Sequence, residues 1–450
     1  MRINTILIGT ALAVLVGCGG GQKTGLKGGS PPPPPKLGGG GSGGGGPNEP
    51  KREISNDAKK DYEAALNAFL KQDKGGWNES ACRSSADQFA SVARQHSKVI
   101  EAQFMVGLSY QRCKLNTDAE KAYQAVISVK PNHGQSLSNL GQMYYEAGKV
   151  ADAKKYWETA IQANGKLIGA RIGIASLELD QMRKLDAKSA EWKKLEEDAR
   201  FNLSNVLGVD SENVAAYTLY GLVYMEGFQR NKNRLDLARL LLDEAKKRTE
   251  KYAHLQNAYG LYFMHRNALS EALRHFQAAV ELDGRFIQAR MNVGLTTLGF
   301  RKYDVAKEQF TKVIELSPKS YDAHIGLGAA LRGLKDLDGA EAQYKKASQL
   351  EPNRGEAYYN LGVLYKDFRA TKQEPAASIS TYEQAKGFFR QFLDKNASAE
   401  DKAEGKEQVA LIDKTIKQTQ QFLKNMQNQP PPPTTPAAPP AKPATPPAKK

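Results

Sequence analysis

A glycine recurs at a fixed step through most of this 450-residue chain, and internal periodicity constrains a fold more tightly than any local propensity. Gly107, Gly141, Gly221, Gly260, Gly294, Gly328 and Gly362 recur, with Ala175 standing where another would fall, at successive intervals of 34, 34, 46, 39, 34, 34 and 34 residues. Five units place alanine 12 residues after the glycine, at Ala119, Ala153, Ala272, Ala306 and Ala340. Four residues beyond each stands a ring: Tyr123, Trp157, Phe276, Phe310 and Tyr344. Pro131, Pro318 and Pro352 close three of the units. Two antiparallel helices approach closely only where the contact lacks bulk, so the pattern predicts glycine on the first helix meeting alanine on the second. The rings fill the wedge where the pair splays, and proline ends the unit. One pair cannot bury its apolar face alone; stacking makes a continuous core.

These residues resemble the tetratricopeptide repeat, with its leucine-glycine pair, tyrosine, alanine, aromatic and proline. "NLGQMYYEAGKVADAKKYWETA" from Asn139 and "NLGVLY" from Asn360 follow it almost letter for letter. The resemblance implies an all-α superhelical solenoid of about eight to nine helix pairs. Three units depart from the period. The third gains 12 residues around "MRKLDAKSAEWKK", read as lengthened helices; the fourth gains five around "FQRNKNRLD"; the eighth gains about 11 around "RATKQEPAAS". Such additions map to helix turns, where they break no stacking contact. Arg230, Lys232 and Arg234 make the second of them the candidate for a functional protrusion. "DYEAALNAFL" and "ADQFASVARQ" read as a degenerate opening pair, so the solenoid is placed at 53–398 and a polar-faced capping helix at 399–428.

The two ends are of another kind. Arg2 is the only charge in the first 22 residues, and Ile6 to Val16 is a nearly continuous apolar run. It is too short for a membrane span, which takes about 20 apolar residues, and has the layout of a secretory signal. Leu15-Val16-Gly17-Cys18 resembles the lipobox of bacterial lipoproteins. That resemblance implies a signal peptide over 1–17, cut before Cys18, and acylation of Cys18. Gly19 stands where inner-membrane lipoproteins commonly carry aspartate, which directs the expectation to the outer membrane, periplasmic face. Residues 18–52 hold "PPPPP" and "GGGGSGGGG" and almost nothing to bury, a tether averaging roughly 30 Å. No Gly-Lys-Ser/Thr closes the glycine run, which speaks against a phosphate cradle. The proline, alanine and lysine tail over 429–450 favours an extended polyproline conformation.

Chemistry is sparse in the sequence. The six histidines, His96, His133, His254, His265, His275 and His324, form no His-Glu-x-x-His and no ligand pair at helical spacing. Neither a Gly-x-Ser-x-Gly elbow nor a Cys-x-x-Cys occurs. The expectation is therefore a protein without catalytic site, metal or cofactor. A formal charge of +15 would suit nucleic acid. An exported chain does not meet it, and the lysines lie among glutamates without aromatic interleaving. Acidic wall polymer such as peptidoglycan, anionic lipid or an acidic partner are the alternatives. With Cys18 acylated, Cys82 and Cys113 form an even pair in an oxidising compartment. Helix order places both at one rim, which predicts a disulfide pinning the opening pair to the array.

Binding is what such an array offers. The first helices line a concave groove, with inward positions three, four and seven residues apart around the glycine. They are Phe104, Leu108, Tyr145, Leu222, Met225, Asn257, Leu261, Met264, Met291, Leu295 and Tyr359, some of which the core is expected to claim. The basic and asparagine clamp with which some relatives hold a C-terminal carboxylate is not matched here. Leucine, methionine and asparagine suit an extended or helical protein segment. The whole layout resembles tetratricopeptide lipoproteins of envelope complexes: type IV pilus pilotins, adaptors of wall enzymes and, most of all, the lipoprotein of the Agl/Glt gliding-motility machinery. That implies a non-enzymatic scaffold for envelope proteins, held to the outer membrane by its N-terminal lipid.

Overall fold

The computed structural model describes residues 53–395 and 398–428. The signal peptide, Cys18, the glycine-rich tether and the proline tail lie outside these residues. Every regular element among the described residues is helical, so the all-α expectation holds. The chain forms two compact units, one ending at Gly326 and the other starting at Leu327.

The first unit contains seven antiparallel pairs: α1 (Asn56–Gly75) with α2 (Glu79–Gln95), α3 (Ile100–Arg112) with α4 (Asn116–Val129), α5 (Gly134–Glu146) with α6 (Val150–Ala163), and α7 (Ile168–Met182) with α8 (Ala190–Val209). Then come α9 (Val214–Glu226) with α10 (Arg234–Arg248), α11 (Ala253–His265) with α12 (Leu269–Leu282), and α13 (Ile287–Gly299) with α14 (Tyr303–Leu316). The division falls inside α15 (Tyr321–Gly333). The second unit continues with α16 (Leu337–Leu350), α17 (Glu356–Val363), a π-helical turn at Leu364–Arg369, a 3-10 turn at Ala370–Lys372, α18 (Pro375–Leu393) and α19 (Ala399–Gln427). Ser398 and Asp401 form a capping box that starts α19.

Except at Gly221, which faces Leu242 and the Ala238 carbonyl, the repeating glycine does not meet alanine, as the sequence pattern predicted, but the ring. A Cβ on Gly107 would lie 2.6 Å from Tyr123. Trp157 is enclosed from both sides, by Gly141 of its own pair and by Gly173 of the next. Phe310 is held likewise between Gly294 and Gly326. The alanines pack beside these rings with no exposed surface: Ala119, Ala153, Ala272 and Ala306 are all 0% exposed. The ring is thus the layer between successive pairs, and the absence of a side chain at the glycine is what admits it. Burying such a ring contributes roughly 2–3 kcal/mol.

Seven residues after the glycine the chain reverses through a left-handed backbone in five pairs, at Lys114, Gly148, Asn267, Arg301 and Lys335. Only Gly148 is a residue for which that region is free of strain. The third unit's extra residues lengthen its second helix, as predicted: α8 has 20 residues where α6 has 14. Ser189 caps α8 by accepting from the Trp192 amide at 3.1 Å.

Candidate partner-binding face

First helices of neighbouring pairs touch one another directly, α5 with α7, α7 with α9, and α9 with α11. That contact closes much of the expected groove. Phe104, Leu108, Tyr145 and Met225 are 2% exposed or less, and Leu222 is buried with them, so all five belong to the core and are corrected from the groove set. Phe104 packs with its ring centroid 5.6 Å from Tyr123 and 5.5 Å from His133. Tyr145 lies against Trp157 and donates its hydroxyl hydrogen to Asp180 on α7, bridging two first helices. In the second unit Tyr359 stays half-buried, with its ring and hydroxyl both engaged. Its ring meets Phe389 and Phe392 at 5.4 and 5.3 Å, and its hydroxyl donates to Glu404 of α19.

In the first unit, what stays half-open of the expected groove lies on α11 and α13. Leu261, Met264, Met291 and Leu295 are all half-buried there. Asn257, though only 8% exposed, accepts at Oδ1 a hydrogen bond of 2.8 Å from Nδ2 of Asn292. That pairing consumes one donor and one acceptor and leaves the Asn257 amide hydrogens and the Asn292 carbonyl oxygen for another partner, a set that matches one peptide unit. Neither α11 nor α13 contains a carboxylate. Their basic side chains are held against neutral groups, His254 with its ring 4.3 Å from Phe286. Arg290 donates to the Gly284 carbonyl and Gln309 at 2.7 Å each. His265, its ring 4.3 Å from Phe228, has its pKa pushed down to about 4 by burial. The side chains of the strip itself, Leu261, Met264, Met291, Leu295, Asn257 and Asn292, are uncharged.

Asn292 was missed in the sequence, and its signal was present: asparagine stands two residues before the glycine at Asn139, Asn292 and Asn360. The basic insertion proves structural. Arg234 pairs with Glu196 at 2.6 Å and lies over Trp192 and Tyr224. Arg230 also lies over Trp192, at 5.0 Å, while Lys232 is exposed. A second tie joins Arg183, after α7, to Glu226, ending α9, at 2.6 Å. On α7, burial with the nearby Asp198 charge pushes the Glu178 pKa up to about 8.

Cys82 of α2 and Cys113, at the end of α3, are joined by a disulfide with Cα atoms 6.2 Å apart. Beside it Asp73 at the end of α1 receives Arg112 and Trp77, both at 2.9 Å. Among the described residues there is no group of three potential metal ligands. Nor is any helix there long and apolar enough to cross a membrane.

Stacked helix pairs with an uncharged, partly open first-helix strip define a repeat-type binding scaffold. Models of the tetratricopeptide repeat match residues 114–166 and 298–364. The chain is similar to human neutrophil cytosol factor 2, at 30% identity over 136 residues, or 28% of this chain; the match spans about a quarter (24%) of the length of that curated relative. Among solved structures it is similar to a thermophilic tetratricopeptide protein of Thermus thermophilus, at 21% identity with TM-score 0.38, over 44% of this chain and 99% of that one. PilF of Pseudomonas aeruginosa gives 18% identity and TM-score 0.39, over 53% and 96% of the two chains. YrrB, described as a tetratricopeptide protein with an unusual peptide-binding site, gives 23% and 0.31, over 45% and 95%.

Proposed function

We propose that this protein is a non-enzymatic scaffold that holds a protein segment on the α11–α13 strip while an acylated Cys18 anchors it to the outer membrane, facing the periplasm. The observation that carries the binding part is the uncharged strip itself, with an amide donor and acceptor set among half-buried leucine and methionine. An extended or helical segment laid there buries apolar side chains and finds a partner for a backbone amide. The lipobox-like Leu15 to Cys18 supports the anchor, and a disulfide between the remaining two cysteines suits an exported chain. The long array with low-complexity ends favours a gliding-motility envelope machine over a pilotin of a type IV pilus or an adaptor for wall enzymes.

Replacing Leu261, Met264, Met291 and Leu295 together with polar residues of similar size tests the strip. None is a stacking glycine, alanine or ring, so the variant folds with the same helix content. Capture of the envelope partner falls at least tenfold, equivalent to about 1.4 kcal/mol. An unfolded variant assigns the four to the core, and undiminished capture by a folded one removes the strip as the working surface.

A further inference from the structure

One register position recurs in both units with different chemistry. In the first unit Tyr123, buried between α3 and α5, has a satisfied hydroxyl: it donates to Gln111 Oε1 at 2.8 Å and accepts from Asn139 Nδ2 at 2.9 Å. Gln111 lies 12 residues before the ring and Asn139 16 after it. In the second unit the same offsets from Tyr344 lead to Arg332 and Asn360. A guanidinium thus replaces the glutamine, and the triad no longer closes. The Tyr344 hydroxyl is buried without a hydrogen-bond partner. Arg332 is 8% exposed, and its Nη1 reaches Asn360 Oδ1 only at 3.5 Å.

Among the described residues no carboxylate is paired with Arg332, and those of the surrounding elements have other partners. Glu341 binds Arg369, Lys345 and the Tyr365 hydroxyl. Asp338 pairs with Arg369, Asp367 with Lys366, and Glu404 with Tyr359. Asp336 caps α16 through the Gly339 amide. The other buried arginines show what is missing: Arg183 and Arg234 each meet a carboxylate at 2.6 Å, and Arg171 makes hydrogen bonds of 2.7 and 3.0 Å. A mostly buried guanidinium held by one long hydrogen bond to a neutral amide is destabilising, and a face-on ring offsets only part of that. The ring is Phe368, 5.5 Å from the guanidinium carbon, and it comes from the π-helical turn that follows α17. Such turns cost helix geometry and concentrate at functional sites.

We infer that Arg332, with the Tyr344 hydroxyl behind it, is the receiving site for a carboxylate of a bound protein segment, Arg332 and Tyr344 each donating to it. These residues stand at other positions than the clamp sought in the sequence. The identity of the donor as a protein segment rests on the scaffold reading above; the carboxylate chemistry does not.

The full-length protein with 15N-labelled arginine is titrated with N-acetylglycinate, which offers a terminal carboxylate, with the α-amide of N-acetylglutamate, which offers a side-chain one, and with N-acetylglycinamide as neutral control. One or both carboxylates shift the Arg332 Nε–H resonance saturably, and the stronger of the two names the donor as a chain end or an acidic side chain; the neutral amide does not. Arg332→Gln rebuilds the closed triad seen around Tyr123, so it folds with undiminished stability and weakens carboxylate binding at least tenfold. Tyr344→Phe keeps the ring, leaves stability unchanged and weakens binding severalfold. The inference is overturned if no carboxylate shifts Arg332, if chloride at the same concentration acts equally, or if Arg332→Gln binds as before or unfolds. The four-residue strip variant leaves this titration unchanged, so failure here and failure of the strip are separate results.

Discussion

Replacing Gly141 with alanine adds one methyl group to α5, and the structure gives that methyl no room. The new Cβ would lie 2.5 Å from both Cδ1 and Nε1 of Trp157. The ring cannot retreat, because Gly173 of α7 closes its other face and its indole N–H donates to the Ser138 carbonyl at 3.1 Å. Overpacking of this kind costs about 1–3 kcal/mol. Alanine recovers up to about 1 kcal/mol through helix propensity, leaving a net loss of up to about 2 kcal/mol. Gly387, in the interior of α18, has nothing within 4 Å of its would-be Cβ, so Gly387→Ala yields only the propensity gain of about 0.5–1 kcal/mol. Urea unfolding of the full chain, followed by far-ultraviolet circular dichroism, is predicted to lower the midpoint for Gly141→Ala and raise it for Gly387→Ala. Trp157→Ala sets the scale at about 3–5 kcal/mol. Midpoints moving in the same direction for both glycines would refute the ring-between-glycines account of stacking.

Two further outcomes follow from the geometry and a third from the lipobox-like sequence. The denatured exported protein shows no reactive thiol at Cys82 or Cys113, and reduction before unfolding lowers stability by about 2–4 kcal/mol; two reactive thiols would contradict the pairing. Glu178 has a folded pKa of about 8 against an ordinary value of 4.5, so the unfolded chain releases this proton first and the group's contribution to stability declines as pH rises from 4.5 to 8. Glu178→Gln removes that decline, which paired urea curves at pH 5 and pH 8 measure; identical pH dependence in both proteins would place the carboxyl in solvent. Metabolic labelling with a fatty-acid probe is lost in Cys18→Ser, and unchanged incorporation would discard the lipid anchor.

The period carried the fold because each stacked pair repeats the same contact, so Gly107 through Gly362 marked every first helix from α3 to α17. The sequence misassigned the contact itself, since glycine spacing alone does not say whether an alanine or a ring lies opposite. The groove was legible only in part. Inward helical spacing is the same for Met225, which the contact between α9 and α11 buries, and for Met264, which stays half-open. What separates them is the placing of neighbouring first helices, a property of the stack and not of either helix. Tyr359 stays half-buried, but its hydroxyl is engaged by a last helix whose docking no repeat predicts. Arg332 escaped because a lone arginine in a helix reads as solvated. Its meaning appears only once Tyr344, Asn360 and the committed carboxylates surround it.

The central claim, that the α11–α13 strip is where a partner lies, is tested most directly by a photo-crosslinking side chain placed in living cells at Leu261 or Leu295, with the exposed Leu240 of α10 as control. The account predicts one discrete envelope-protein adduct from each strip position, lost when the other three strip residues are made polar, and none from Leu240. Adducts from Leu240 alone, or an equal spread from all three positions, would contradict it.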